Sequence, residues 1–538
     1  MILPIVKKQI KKDGFCNIPP VITCSFDGDI AKLGAEALAS FDERTELAEG
    51  NAFISFAVDS SLEEKDEIYS VDVTEDSIRI GFRDRRGAVN GAAAVALLLR
   101  KKELPLQNIV DYPSCGYRGL MIDPGYFIPP MDLVENTIRY MALAKYNRLH
   151  LHLVESKGPC YVSEAVPQYK YVGTGPFEPW TLDDLRGVIA LCKKYAIEVI
   201  PEIEIPGHAR ALCDTFPDFK CKVDNAQSWT VCAGSEELYT FIDKLVGELA
   251  EVFADSEYIH IGSDEIEFLD LPAPAGPLVC HWEECPRCKA LREREGLADM
   301  REEFYYLMRR CREICMAHGK KMMMWSDQLD VSRDEVDLPR DIFMEFWRVA
   351  GRGRGPHDGC SLEKLLQKGF KAINAFYKYA YVDEEHYLSS EKLKTWTPYT
   401  MPEQSPEVKD NMLGGELCIW YFANMEANGK YYAYTFPPTL AVFGDKLWGL
   451  GEREYTDEYK SALSEYIFGN DEFTDIFECV GDIIPPRTRK FFTYKSAEEL
   501  DPELIERCIA KLKAHDKCYV SENYVELLER IAETAENQ

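Results

Sequence analysis

The chain has 538 residues, a hydrophobic fraction of 46% and a formal charge of −30, from 62 Lys and Arg against 92 Asp and Glu. That length exceeds one typical domain and predicts a large core with one or two smaller units. The negative charge repels phosphate at long range, so it argues against nucleic acid and anionic membrane as partners and favours a neutral small substrate. The longest apolar run, Ala92 to Leu99, is far too short to span a membrane and reads as a buried helix face. Met1 to Lys8 places a short apolar run ahead of its basic residues, the reverse of a secretory signal. With 18 cysteines, this order predicts a reducing, cytoplasmic compartment in which buried thiols behave as small hydrophobes.

Residues 1–110 read as a small α/β domain. Ile54 to Val58, Tyr69 to Val73 and Ser77 to Phe82 alternate as strands, and the Ala-rich stretch Gly87 to Leu99 follows as a helix. Asp111-Tyr112-Pro113 breaks this pattern. From 111 to 450 eight short apolar strands are predicted, at 118–123, 147–153, 197–203, 257–263, 320–326, 341–347, 370–376 and 413–420. Helical patterns lie between many of them: Met131 to Lys145, Thr181 to Tyr195, Ser235 to Phe253 and Met300 to His318. Eight such units predict a closed (β/α)8 TIM barrel, in which chemistry gathers at the carboxyl ends of the strands. Residues 451–538 read as a helical extension, with Glu454 to Phe468 and Leu504 to Asp516 as the clearer helices and Pro485-Pro486 as a break.

The polar residues follow the barrel rule. Asp123, His150, His152, Glu155, Glu202, Glu204, His208, Asp264, Glu265, Trp325, Asp327, Trp347 and Trp420 all fall at or just past a predicted strand end. The segment Tyr258-Ile-His-Ile-Gly-Ser-Asp264-Glu265 ends an apolar strand in two adjacent carboxylates, which packing alone does not favour. Carboxylates among tryptophans suit a sugar, whose C–H faces stack on rings and whose hydroxyls need charged partners. Glycoside hydrolysis requires an acid for the leaving oxygen and a second group at the anomeric carbon. Sequence neighbours can hardly flank a sugar from opposite sides, so the second acid is expected to hold a group of the substrate, which points to neighbouring-group participation.

The ordered motifs Asp111 to Asp123, Lys145 to Leu153, Ile200 to Ala209, His260 to Glu265, Met324-Trp325, Phe346-Trp347-Arg348, Ala380 to Asp383 and Leu413 to Trp420 resemble glycoside hydrolase family 20, the β-N-acetylhexosaminidases, over about residues 50 to 450. The Cys-Pro-Arg-Cys segment after the Asp264 loop is similar to the hexosaminidase D-like branch. The resemblance implies hydrolysis of a β-linked 2-acetamido sugar, without a cofactor, by a retaining mechanism through an oxazolinium ion. It implies Glu265 as general acid and base, Asp264 as the partner of the acetamido N–H, and Tyr381 as donor to the acetamido oxygen. Trp325, Trp347 and Trp420 are then the pocket walls, Arg118 and Asp383 hydroxyl contacts, His208 with Glu155 a supporting pair, and Glu204 a neighbour of Asp264. His150 joins them as a substrate-binding candidate.

Glu155 and Glu204 stand where the family usually has aspartate, Ser263 where it has glycine, and Phe422 where it has a glutamate that binds a hydroxyl. The last departure predicts weaker discrimination between gluco and galacto sugars. Other readings compete at particular residues. Arg118 can instead form a salt bridge that stabilises the first strand, and His152 can be a satisfied core histidine. Cys280, His281, Cys285 and Cys288 have spacing that zinc accepts, although free thiols are the preferred reading and no catalytic metal is expected. Two other functions remain: a metal-dependent amidohydrolase built on His150, His152, His208 and Asp264, and a glycan-binding protein without turnover.

Overall fold

The computed structural model describes the chain except for residues 174–176, 269–278, 349–360, 383–389, 400–408, 421–429, 481–500, 516–518 and 537–538. A seven-stranded mixed sheet occupies residues 8–111, and all three predicted strands lie in it, at Ile54–Val58, Tyr69–Val73 and Ile78–Phe82. The sheet also contains Lys8–Phe15, Ile22–Phe26, Thr45–Leu47 and Pro105–Asp111, which the sequence reading did not resolve. Lys8–Phe15 is exposed along its whole length and has no apolar alternation to mark it as a strand. The helices Asp29–Phe41 and Arg85–Leu98 pack on this sheet; the second buries nearly every side chain from Gly87 onward, as its alanines permit.

Eight parallel strands then close on themselves. They are Tyr117–Ile122, Arg148–His152, Glu198–Glu202, Tyr258–His260, Lys321–Trp325, Phe343–Phe346, Lys371–Asn374 and Met412–Ile419, and the last pairs with both the seventh and the first. Each lies within the span predicted for it, apart from one residue at the start of the first and last. The helices Met131–Leu143, Leu182–Lys194, Glu236–Val252 and Met300–Ala317 follow the first, second, third and fourth barrel strands, within the stretches predicted for them. Local chemistry sets their starts. Thr181 and Asp184 form a reciprocal capping box, and Asp299 accepts from the backbone N–H groups of Arg301 and Glu302.

After the barrel, Asp457–Phe468 covers the seam between the small sheet unit and the barrel. Lys101 Nζ meets Glu465 at 2.6 Å, and Tyr140 donates to the Ile467 carbonyl at 3.0 Å. Helices Pro502–Ala514 and Tyr519–Glu536 complete the extension, while the Pro485-Pro486 break lies outside the described residues. Among the described residues, no helix is long and apolar enough to cross a membrane.

Candidate active site

The fourth barrel strand ends at His260, and the backbone then turns sharply: φ is +72° at Gly262, +89° at Ser263 and +50° at Glu265. A Cβ at Gly262 would overlap the Glu204 carboxylate, so glycine is required there. Ser263 adopts a backbone that favours glycine, and its hydroxyl is fixed by donating to the Trp325 carbonyl at 3.0 Å. Positive φ at non-glycine residues costs on the order of 1–3 kcal/mol each and persists where the surroundings impose it. The result of this turn is that Asp264 and Glu265 both enter the barrel mouth.

Asp264 is buried, with its side chain 11% exposed, and Glu265 is more open at 27%. Asp264 Oδ1 is buried without a hydrogen-bond partner, an arrangement that leaves it available to a ligand. Its other oxygen lies 3.6 Å from His208 Nε2, and Glu265 Oε2 lies 3.8 Å from the same nitrogen. Arg348 reaches Glu265 Oε1 at 3.5 Å and Asp327 Oδ2 at 2.7 Å, while the Glu265 N–H donates to Asp327 at 3.3 Å.

Burial raises the pKa of Glu265 and, with the charges of Asp264 and Asp327, outweighs the opposing pull of Arg348 and His208. Glu265 therefore keeps its proton more readily than an ordinary glutamate, as a general acid needs. Burial disfavours charge on His208, yet Asp264 and Glu155 more than compensate and hold the imidazolium well above its ordinary range. His208 Nδ1 is hydrogen-bonded to Glu155, which also accepts from the Ser156 N–H. Burial and the Asp264 charge push Glu204 well above the usual carboxylate range.

Aromatic rings line the other side. Trp347 and Tyr381 stack in parallel, 5.9 Å apart with 4° between planes, and Trp420 lies 5.6 Å from Tyr381 and 6.2 Å from Trp325. Trp325 donates its indole N–H to Glu202 at 2.6 Å, which fixes the ring over the barrel interior. The Arg348 guanidinium lies 4.1 Å from the Trp347 ring centroid, so one cation orders both an acid and a wall.

The structure gathers Asp264, Glu265, Glu155, His208, Trp325, Trp347, Tyr381 and Trp420 at the carboxyl ends of the strands. It places two candidates elsewhere. Arg118 sits near the amino end of the first strand, where its guanidinium pairs with Glu67 of the small sheet unit and donates to the carbonyls of Cys115 at 2.6 Å and Lys145 at 2.8 Å. It is a buried clamp rather than a sugar contact, because its donors are committed at the far end of the barrel.

His150 is likewise a correction. It is buried below Trp325, with Nδ1 2.7 Å from Glu416 and Nε2 3.0 Å from Glu202. Burial opposes its charge, but Glu202 and Glu416 outweigh that and push its pKa above the usual imidazole range. His152 meets Asp123 at 2.7 Å and Glu204 at 3.0 Å through its two ring nitrogens, which is the satisfied core histidine. Asp383 and Phe422 lie outside the described residues.

Two contributors were not assigned in advance. Arg348 follows Trp347 directly, and its place in that motif was the available signal. Trp229 comes from the loop after the third strand. Its ring centroid is 4.5 Å from that of His208, and its N–H donates to the Glu265 carbonyl at 3.1 Å. A lone tryptophan in a loop gave no signal of this.

Fold and strand-end cluster together define a (β/α)8 barrel with a two-carboxylate, aromatic-walled site at its mouth. The family described as glycosyl hydrolase family 20, catalytic domain, matches residues 115–449, and the chain belongs to that family. It is 29% identical over 342 residues to a beta-hexosaminidase of Akkermansia muciniphila, covering 59% of this chain and 64% of that protein. A beta-hexosaminidase of Porphyromonas gingivalis is 28% identical over 475 residues, covering 80% of this chain and 57% of that one. The chain thus spans less than two thirds of the length of these relatives. The fold is similar to that of an exo beta-N-acetylglucosaminidase from Vibrio harveyi in complex with N-acetylglucosamine, with a TM-score of 0.71, 22% identity, and coverage of 86% of this chain and 76% of that chain. A beta-N-acetylhexosaminidase from Bacteroides fragilis gives a TM-score of 0.70 at 22% identity, covering 86% and 94%.

Proposed function

We propose that the chain is a β-N-acetylhexosaminidase that releases terminal β-linked N-acetylhexosamine with retention, through a substrate-assisted oxazolinium intermediate. The observation that carries this reading is the pair at the strand end: Asp264 with a buried, unpartnered oxygen, and Glu265 beside it with a raised pKa. Relatives named beta-hexosaminidase support it.

In the first step the acetamido oxygen attacks the anomeric carbon, the glycosidic bond breaks, and Glu265 gives its proton to the leaving oxygen. Asp264 accepts from the acetamido N–H, and its charge offsets the positive charge that develops on the ring being formed. Tyr381 donates to the acetamido oxygen, within the wall made by Trp325, Trp347 and Trp420. In the second step water attacks the anomeric carbon and passes a proton to Glu265, which restores the acid and opens the oxazolinium. His208, held by Glu155, places its Nε2 3.6 Å from Asp264 and 3.8 Å from Glu265, so its positive charge faces both carboxylates.

Phe422 stands where the family resemblance implies a hydroxyl-binding glutamate, and weak discrimination between the gluco and galacto sugars is therefore expected. The free, buried cysteines of the described residues support a cytoplasmic setting. Turnover of p-nitrophenyl β-N-acetylglucosaminide and β-N-acetylgalactosaminide tests the assignment. Glu265→Gln is expected to lower kcat on an alkyl glycoside by roughly 10²–10⁴ with folding retained. Equal rates in mutant and wild type would remove Glu265 as the acid.

A further inference from the structure

Four cysteines converge away from the barrel mouth. Cys221, Cys232, Cys285 and Cys288 are all buried, and their sulfurs lie within 4.8 Å of one another. Cys232 Sγ is 3.6 Å from Cys285 Sγ and 3.5 Å from Cys288 Sγ. These are not disulfide separations, which are about 2.0 Å. They approach the edge of a tetrahedron of sulfurs around zinc, roughly 3.8 Å for a Zn–S distance of about 2.3 Å. Among the described residues no other group of three or more cysteines converges in this way.

The surrounding backbone is arranged to hold the sulfurs there. Lys220 and Val231 form an antiparallel bridge that joins the two segments carrying Cys221 and Cys232, and the Cys232 N–H donates to the Phe219 carbonyl at 2.7 Å. Cys285 caps the helix Pro286–Glu295, so Cys285 and Cys288 flank the helix's first turn, whose dipole favours thiolate. The two halves are joined by Arg287, which donates to the carbonyls of Asp218 at 2.7 Å and Lys220 at 2.8 Å, and by the Trp282 N–H on the Val231 carbonyl at 2.7 Å. A Cβ at Gly234 would strike the Arg287 backbone, so the strands of this knot are already in contact.

We infer that Cys221, Cys232, Cys285 and Cys288 form a structural tetrathiolate zinc site. Local spacing alone groups Cys285 and Cys288 with Cys280 and His281. Cys280 is buried outside the group, and His281 instead lies 3.1 Å from Glu284. With four protein sulfurs the coordination is closed, so this zinc is structural. The loop that it ties down carries Trp229, whose ring packs on His208 and whose N–H holds the Glu265 carbonyl. The site thereby fixes one wall of the barrel mouth, and chelator sensitivity of turnover does not by itself indicate a catalytic metal.

The test is metal analysis of the full chain, purified without a polyhistidine tag or chelator. One zinc per chain is expected, released by a mercurial thiol reagent and recorded with a colorimetric zinc indicator. Cys232→Ser and Cys285→Ser are expected to lose it, whereas Cys280→Ser and Asp264→Asn keep it; the latter separates this site from a metal at the catalytic carboxylates. If the cysteine variants do not fold, the wild-type stoichiometry and its release by the mercurial decide. Less than about a tenth of an equivalent of zinc in soluble wild type, iron in its place, or zinc retained in Cys232→Ser would overturn the assignment.

Discussion

At the residue scale, Arg348 is the group whose role is easiest to separate from its neighbours. It lies 3.5 Å from Glu265 and pulls the pKa of that acid down against burial. A general acid works while protonated, so activity falls as pH rises through its pKa. Removing the positive charge favours the protonated form, and the basic limb of kcat/KM in Arg348→Gln is expected to move up by about one pH unit. A limb that stays in place or moves down would mean that another group sets it. The same residue shows what spacing can and cannot reveal. Trp347 was legible as a wall because it ends an apolar strand, but nothing in Trp347-Arg348 tells which acid the guanidinium meets.

Elements account for the two misplaced candidates. Strands and their polar tips were legible because alternation marks a strand and its end marks the chemistry. Depth along the strand was the property overlooked. Arg118 precedes Asp123 by five residues, roughly 16 Å of strand, so it belongs to the opposite end of the barrel. His150 shares a face with His152 but sits two residues, or about 7 Å, deeper. Arg118 instead joins the first barrel strand to the small sheet unit through Glu67. Arg118→Met removes the nearer of the two cations facing that buried carboxylate, leaving Arg86 at 3.9 Å, and is expected to cost about 3 kcal/mol of stability while KM for the p-nitrophenyl sugar is unchanged. A large rise in KM with an unchanged Tm would restore the sugar contact. Long-range convergence was illegible for a different reason: Cys221 and Cys232 meet Cys285 and Cys288 only after the third and fourth strand loops pack together, a pairing that local spacing does not encode.

For the whole molecule, the barrel brings a strained strand end, the His208–Glu155 pair and an aromatic wall to one mouth, while the small sheet unit is tied to the opposite end through Arg118 and Glu67. The central claim is that the substrate's own acetamido group is the nucleophile, with Asp264 as its partner. The most direct measurement compares kcat/KM for p-nitrophenyl β-N-acetylglucosaminide with that for p-nitrophenyl β-glucoside, which carries a hydroxyl in place of the acetamido group. The account predicts that the acetamido sugar is favoured by at least about 10³ in the wild type, and that Asp264→Asn removes most of that advantage. Comparable hydrolysis of the two sugars by the wild type would contradict it.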